Sequence, residues 1–112
     1  MAGSLTEATK ENFRDLVAEG AVLVDVWGPE CLPCLALLPH VEALDAERHD
    51  LKVIALEAPT ARRLCMELRV MGLPAFLLFR DGQEVGRLAG NEISPSSLVE
   101  WLDGALAAPA QG

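Results

Sequence analysis

Two cysteines separated by two residues, Cys31 and Cys34, are the side chains best suited to chemistry in this sequence of 112 residues. They follow an apolar run that predicts a strand, and they begin a segment whose apolar spacing predicts a helix. Unpaired N–H groups and the helix dipole at such a position stabilise an anion, here the nucleophilic thiolate of Cys31. Pro33 fits the first helical turn, where a missing N–H costs little. The two-residue spacer lets Cys34 close a disulfide with Cys31, so the pair favours reversible redox chemistry.

A metal site and a structural bridge are the alternative interpretations of the pair. A tetrahedral zinc site would need two further ligands. The candidates are His40, His49 and Cys65, and none of them belongs to a second close pair. Cys65 falls on the apolar face of a predicted helix, where a free cysteine usually packs as a small hydrophobe. We therefore predict redox chemistry at the pair, with no metal.

Asp25 is the second candidate functional residue, because it interrupts the apolar run 21–27. A buried charge is unfavourable unless it is paired or neutralised, so desolvation is expected to raise the pKa of this carboxyl. A carboxyl with a raised pKa is a candidate proton acceptor for Cys34, directly or through water. The alternative is a surface acid near a solvated strand end. We favour the functional interpretation, because perturbed acids cluster at reactive sites.

The elements that would hold these groups alternate between strand and helix. The patterns predict strands over 4–8, 21–27, 52–56, 75–79 and 83–89. They predict helices from an N-cap at Thr9 to Gly20, over about 31–48 with a kink at Pro39, from Thr60 onward, and from Pro95 with an N-cap at Ser94. This order indicates an α/β fold with a mixed sheet of four to five strands and helices on both faces. We expect a single domain over 1–112, with 107–112 as a flexible tail.

Composition restricts the partners and the compartment. Nine basic against 17 acidic residues leave a net charge of −8, which argues against nucleic acid and favours basic or neutral protein partners. No apolar run is long enough to cross a bilayer, and the segment 1–13 is polar and acidic, unlike a secretory signal. We therefore expect a cytoplasmic protein that binds no membrane. Three cysteines are too few for a disulfide-rich scaffold.

Several motifs occur together in a characteristic order. They are Val24-Asp25-Val26-Trp27, Cys31-Leu32-Pro33-Cys34, Pro39, Gly72-Leu73-Pro74, Phe79-Arg80-Asp81-Gly82 and Gly90. In these motifs the chain resembles the thioredoxin family along nearly its whole length. The resemblance implies the thioredoxin fold, with four helices around the sheet. It also implies a protein-disulfide reductase that takes part in electron transport and cell redox homeostasis.

The resemblance implies a role for each matching position. Cys31 would be the exposed attacking thiol, Cys34 the buried resolving thiol, and Asp25 the buried carboxylate beneath Cys34. Pro74 would be a cis-proline facing the pair, and the backbone of Leu73 would hydrogen-bond an extended substrate. The other positions expected in or beside the substrate groove are Trp27, Glu30, Leu32, Pro33, Gly72 and Gly90. The implied partners of this monomer are disulfide-containing proteins and an external reductant such as a thioredoxin reductase, with no organic cofactor.

Four positions depart from the family pattern. Glu30 replaces a tryptophan, Leu32 a glycine, and Leu35 and Ala55 replace lysines. A carboxylate at Glu30 is expected to disfavour the neighbouring thiolate and so to make the pair more reducing. Loss of the lysine at Ala55 favours a protonated Asp25. These departures leave open an adaptor or chaperone module with little general reductase activity.

Overall fold

Five strands and four helices follow one another in the predicted order in the computed structural model, which describes residues 5–108. The strands are β1 Thr6–Ala8, β2 Ala21–Trp27, β3 Lys52–Glu57, β4 Ala75–Arg80 and β5 Gln83–Ala89. The helices are α1 Phe13–Leu16, α2 Leu32–Glu47, α3 Arg62–Glu67 and α4 Pro95–Ala107. A single 3-10 turn, Ala58–Thr60, precedes α3.

The strands form one mixed sheet in the order β1-β3-β2-β4-β5. The β3 strand runs parallel to β1 and β2, and β4 runs antiparallel to β2 and β5. Six of the seven residues of β2 are buried, because this central strand is covered on both faces. That burial explains its nearly continuous apolar sequence. The predicted fold class, an α/β fold with a mixed sheet, is confirmed.

Alternate side chains of β2 enter two separate cores. Val22, Val24 and Val26 pack in the core beneath α1 and α3, where Phe13 meets Phe79 edge-on with 5.5 Å between ring centroids. The opposite face of the sheet packs against α2 and α4. The buried residues of that second core include Leu23, Trp27, Cys34, Leu37, Val41, Leu44, Val53, Ala55, Phe76, Leu78, Leu98 and Leu102.

The first helix is shorter than predicted, and the prediction of Thr9 as its N-cap is wrong. α1 begins at Phe13, with Asn12 at the capping position. The Thr9 hydroxyl instead accepts the Asn12 N–H at 3.2 Å, and the Asn12 side-chain oxygen accepts the Thr9 N–H at 2.6 Å. This reciprocal pair closes a turn before the helix. Val17 forms the C-cap, so the helix ends before Gly20, which has a φ of +72°.

The last helix begins as the sequence predicts. Ser94 accepts the Ser97 N–H at 3.0 Å, and the Ser97 hydroxyl accepts the Ser94 N–H at 2.9 Å, which completes a capping box. Pro95 takes the first helical position. The helix α4 extends to Ala107, the first residue of the predicted tail at about 107–112, and residues 109–112 lie outside the described part. The first strand begins at Thr6. Residue 4, where the predicted strand begins, also lies outside the described residues.

Candidate active site

Cys31 and Cys34 are joined by a disulfide at the start of α2, with 5.2 Å between their Cα atoms. Cys31 is the N-cap residue of α2 in an extended conformation, and its sulfur accepts the Cys34 N–H at 3.2 Å. Pro33 lies in the first turn, and the helix continues past Pro39 to Glu47. The Cys31 sulfur therefore occupies the positive end of a 16-residue helix, where a thiolate is stabilised.

The two sulfurs differ in accessibility. Cys34 is 3% exposed and packs in the core between α2 and the sheet. Cys31 is partly exposed and lines an open surface cavity of about 480 Å³. We call this the Cys31 cavity; its other lining residues are Gly28, Pro29, Glu30, Pro59, Arg62 and Leu73. Only Cys31 is placed where the disulfide of a partner could approach it.

Asp25 is buried on the sheet face that packs against α2 and α4. Its neighbours across the sheet are Ala55 on β3 and Phe76 on β4, both apolar and both buried. Asp25 is 2% exposed, and its carboxyl has no hydrogen-bond or ion-pair partner among residues 5–108. Burial raises its pKa from 3.8 to about 7. The predicted rise in pKa is confirmed, and the alternative of a solvated surface acid is wrong.

The loop before β4 forms one wall of the Cys31 cavity. The Leu73–Pro74 peptide bond is cis, and Pro74 is buried. The Pro74 carbonyl accepts the Gly90 N–H at 3.1 Å, which joins this loop to the end of β5. A Cβ at Gly28 would lie 3.1 Å from Cδ1 of Leu73. The two loops therefore approach closely beside Cys31, and a side chain at position 28 would have to displace Leu73 slightly.

The remaining groove candidates separate into surface and core positions. Gly72 and Gly90 line a second cavity of about 460 Å³, which shares Leu73 with the Cys31 cavity. Trp27 is 6% exposed and packs in the same core as Cys34, so it supports the site from beneath. Leu32 is 76% exposed and, like the half-buried Pro33, lines neither of these two cavities. The structure therefore gathers only part of the predicted groove around the pair.

Sequence reasoning missed part of the cavity wall. Gly28 and Pro29 lie between the strand 21–27 and Glu30, where a Gly-Pro pair by itself indicates only the end of a strand. Pro59 and Arg62 come from the turn before α3 and from the first position of α3. No local signal in the sequence connects that segment to Cys31, because the contact depends on the way the chain crosses the sheet.

The other titratable candidates lie away from the pair. Cys65 is buried in the core beneath α1 and α3, on the opposite sheet face from Cys34, and burial raises the pKa of its thiol. Its predicted role as a small buried hydrophobe is confirmed. His40 and His49 are exposed. No three histidine, cysteine or acidic side chains group as metal ligands within residues 5–108. Over the same residues, no helix is long and apolar enough to cross a membrane.

Comparisons with known proteins agree with this geometry. The family model described as Thioredoxin matches residues 4–104. Thioredoxin of Chlamydia muridarum is 38% identical over 94 residues, covering 84% of this chain and 91% of that protein. Thioredoxin X, chloroplastic, of Arabidopsis thaliana is 36% identical over 108 residues, covering 93% of this chain and 59% of that protein.

A solved structure extends the likeness to three dimensions. Oxidised mitochondrial thioredoxin 3 of Saccharomyces cerevisiae superimposes with a TM-score of 0.82 at 25% identity, covering 92% of this chain and 97% of that one. Family, fold and the close cysteine pair favour the enzyme over an adaptor module. The chain belongs to the thioredoxin family of thiol–disulfide oxidoreductases.

Proposed function

We propose that the protein reduces disulfides in partner proteins, with Cys31 as the nucleophile and Cys34 as the resolving thiol. The observation that carries this proposal is the asymmetry of the pair. One sulfur borders an open cavity at the N-terminus of α2, and the other is buried directly behind it. A partner disulfide can reach Cys31, whereas the buried Cys34 can react only with the neighbouring Cys31 sulfur.

Each turnover moves two electrons and exchanges three sulfur–sulfur bonds. The Cys31 thiolate attacks one sulfur of the partner disulfide, which breaks that bond, forms a mixed disulfide and releases the second partner sulfur as a thiolate. The Cys34 thiolate then attacks the Cys31 sulfur, which breaks the mixed disulfide and forms the Cys31–Cys34 bond. The released partner thiolates take up protons. The partner is reduced by two electrons, and the pair is oxidised by the same two.

Asp25 supplies the proton acceptor for the second step. Cys34 attacks only as a thiolate, and its burial in an apolar core opposes the loss of its proton to water. Asp25 lies on the same sheet face as the helix of Cys34, and its pKa of about 7 leaves a large ionised fraction at neutral pH. The ionised carboxylate accepts the Cys34 proton, directly or through water. The residues around Leu73, including Gly72, Pro74 and Gly90, hold the substrate segment beside the pair.

An external dithiol returns the oxidised pair to its reduced state, and a thioredoxin reductase is the expected donor. Since both electrons reside on the two sulfurs, this chemistry needs no prosthetic group. We further propose a monomeric single domain that contributes to electron transport and redox homeostasis in the cytoplasm. The acidic net charge, −8, supports neutral or basic protein partners.

Trapping the mixed disulfide tests the assignment of roles. Cys34→Ser protein mixed with a disulfide-containing substrate such as insulin is expected to accumulate a covalent adduct, located at Cys31 by peptide mass spectrometry. Cys31→Ser is expected to form none. Wild-type protein serves as the matched control and accumulates no adduct, because Cys34 resolves the mixed disulfide. An adduct at Cys34, or full turnover by Cys31→Ser, would contradict the proposal.

A further inference from the structure

A groove leads away from Cys31 along α3, and Arg62 stands at its middle. The Cys31 cavity shares Pro59, Arg62 and Leu73 with a third cavity of about 410 Å³. We call the two together the α3 groove. Beyond the shared residues, the third cavity is lined by Ala58, Cys65, Met66 and Val70. A segment bound at Cys31 can therefore extend past Arg62 to an apolar surface.

The guanidinium of Arg62 has no ion-pair or hydrogen-bond partner among residues 5–108. By contrast, Arg48 pairs with Asp50 and Asp103, and Arg87 pairs with Glu84 at 2.6 Å. Glu30 lines the same cavity as Arg62, yet no ion pair joins the two. The cation of Arg62 is thus available to a ligand in the groove.

The chemistry of the groove specifies a class of ligand. A guanidinium matches a carboxylate in geometry and charge, and can bind it through two parallel hydrogen bonds. Met66 is 76% exposed, and a flexible thioether adapts to apolar side chains of different shape. We propose that the α3 groove selects partner segments that carry an acidic side chain next to the reactive cysteine and an apolar side chain beyond it. Arg62 is then a specificity-determining residue, and this inference rests on the proposed reduction of partner disulfides at Cys31.

The net charge of −8 repels acidic segments at long range, so the selection must come from a short-range contact. Arg63 provides the matched control. It is exposed on the same helix, makes no ion pair within residues 5–108, and lines none of the three cavities around Leu73. Arg62→Gln and Arg63→Gln remove the same charge from the same helix. The two variants therefore change the long-range electrostatic field nearly equally, but only Arg62→Gln removes a positive charge from the α3 groove.

A competition experiment tests the preference. Pre-reduced protein is mixed at low salt with an excess of two peptide disulfides that differ only by Glu or Gln beside the cysteine. Pairs with the substitution on either side of the cysteine are compared, and mass spectrometry of the products gives the ratio of kcat/KM. For one of the two positions beside the cysteine, the wild type is expected to have a kcat/KM about two- to fivefold higher for the Glu peptide than for the Gln peptide. This range corresponds to the free energy of an exposed ion pair. Arg62→Gln abolishes this preference, Arg63→Gln keeps it, and 1 M salt suppresses it.

Three outcomes of the competition experiment would overturn the inference. They are no preference in the wild type, the same preference in Arg62→Gln, and an equal loss in Arg63→Gln. A separate measurement uses hydroxyethyl disulfide, a small neutral substrate that has no acidic side chain to contact Arg62. Wild type and Arg62→Gln are expected to reduce it at equal rates, and a slower variant would show that Arg62 acts on Cys31 itself, which also overturns the inference. A wild type unable to reduce any of these disulfides would instead refute the proposed function.

Discussion

The stability of the oxidised Asp25→Asn variant, measured relative to the wild type, should increase as the pH rises. The carboxyl is buried between Ala55 and Phe76, and its pKa rises from 3.8 to about 7 on folding. Below pH 3.8 the carboxyl is protonated in both the folded and the unfolded state, and its ionisation does not change the free energy of unfolding. Between 3.8 and about 7 the unfolded chain loses this proton while the folded chain retains it, so the aspartate destabilises the wild type progressively. Above about 7 the penalty is constant.

The size of the effect follows from the two pKa values. With 1.36 kcal/mol per unit, the penalty is about 1.7 kcal/mol at pH 5 and about 4 kcal/mol at pH 8. The buried amide of asparagine adds a constant offset of about 1–3 kcal/mol if it stays unpaired, and this offset does not depend on pH. The sharp prediction is therefore the change in the difference between variant and wild type, about 2.5 kcal/mol from pH 5 to pH 8.

Urea unfolding of the two oxidised proteins at several pH values measures this change. The disulfide is kept intact so that Cys31 and Cys34 do not titrate, and the free thiol of Cys65 is common to both proteins. Asp15→Asn is the matched control, because Asp15 is exposed on α1 and makes no ion pair within residues 5–108. It should show no comparable dependence on pH. If Asp25→Asn and wild type differ by the same free energy at pH 5 and pH 8, the carboxyl is solvated and the argument from burial fails.

Three further predictions concern the cavity and the core. Glu30→Gln should make the Cys31–Cys34 pair less reducing and shift its equilibrium with glutathione about two- to fivefold. The distant Glu100→Gln should cause no such shift. If the two variants shift the equilibrium equally, the charge of Glu30 does not act on the Cys31 thiolate. Gly28→Ala should displace Leu73, because Cδ1 of Leu73 would lie 3.1 Å from the new Cβ. The variant should lower kcat/KM for insulin about two- to tenfold. An unchanged kcat/KM would show that Leu73 does not contact the substrate. Leu102→Ala should lower the free energy of unfolding by about 2–5 kcal/mol in urea titration, because the side chain is fully buried, and a loss under 1 kcal/mol would show that the core collapses around it.

Some features were predictable because neighbouring residues along the chain produce them. The capping box of Ser94 and Ser97 needs only its own four-residue turn, and the start of α4 follows directly from it. Cys31 at the head of α2 is similar, since a strand, a Gly-Pro break and an apolar helix pattern follow one another there. The error at Thr9 shows the limit of such signals. Thr9 and Asn12 each accept the other's backbone N–H and so close a separate turn, and the regular helix begins only after Asn12.

Short-range sequence patterns were sufficient to predict a redox pair at a helix N-terminus and an acid within an apolar strand. The residues that surround these groups depend on how distant parts of the chain fold together. Asp25 titrates near neutrality because strand register places Ala55 and Phe76 on either side of it, and Arg62 reaches the Cys31 cavity because the chain crosses the sheet before α3. Such contacts join residues some thirty to fifty positions apart. Local propensity acts over a few residues, so it carries no information about which distant side chains share a site.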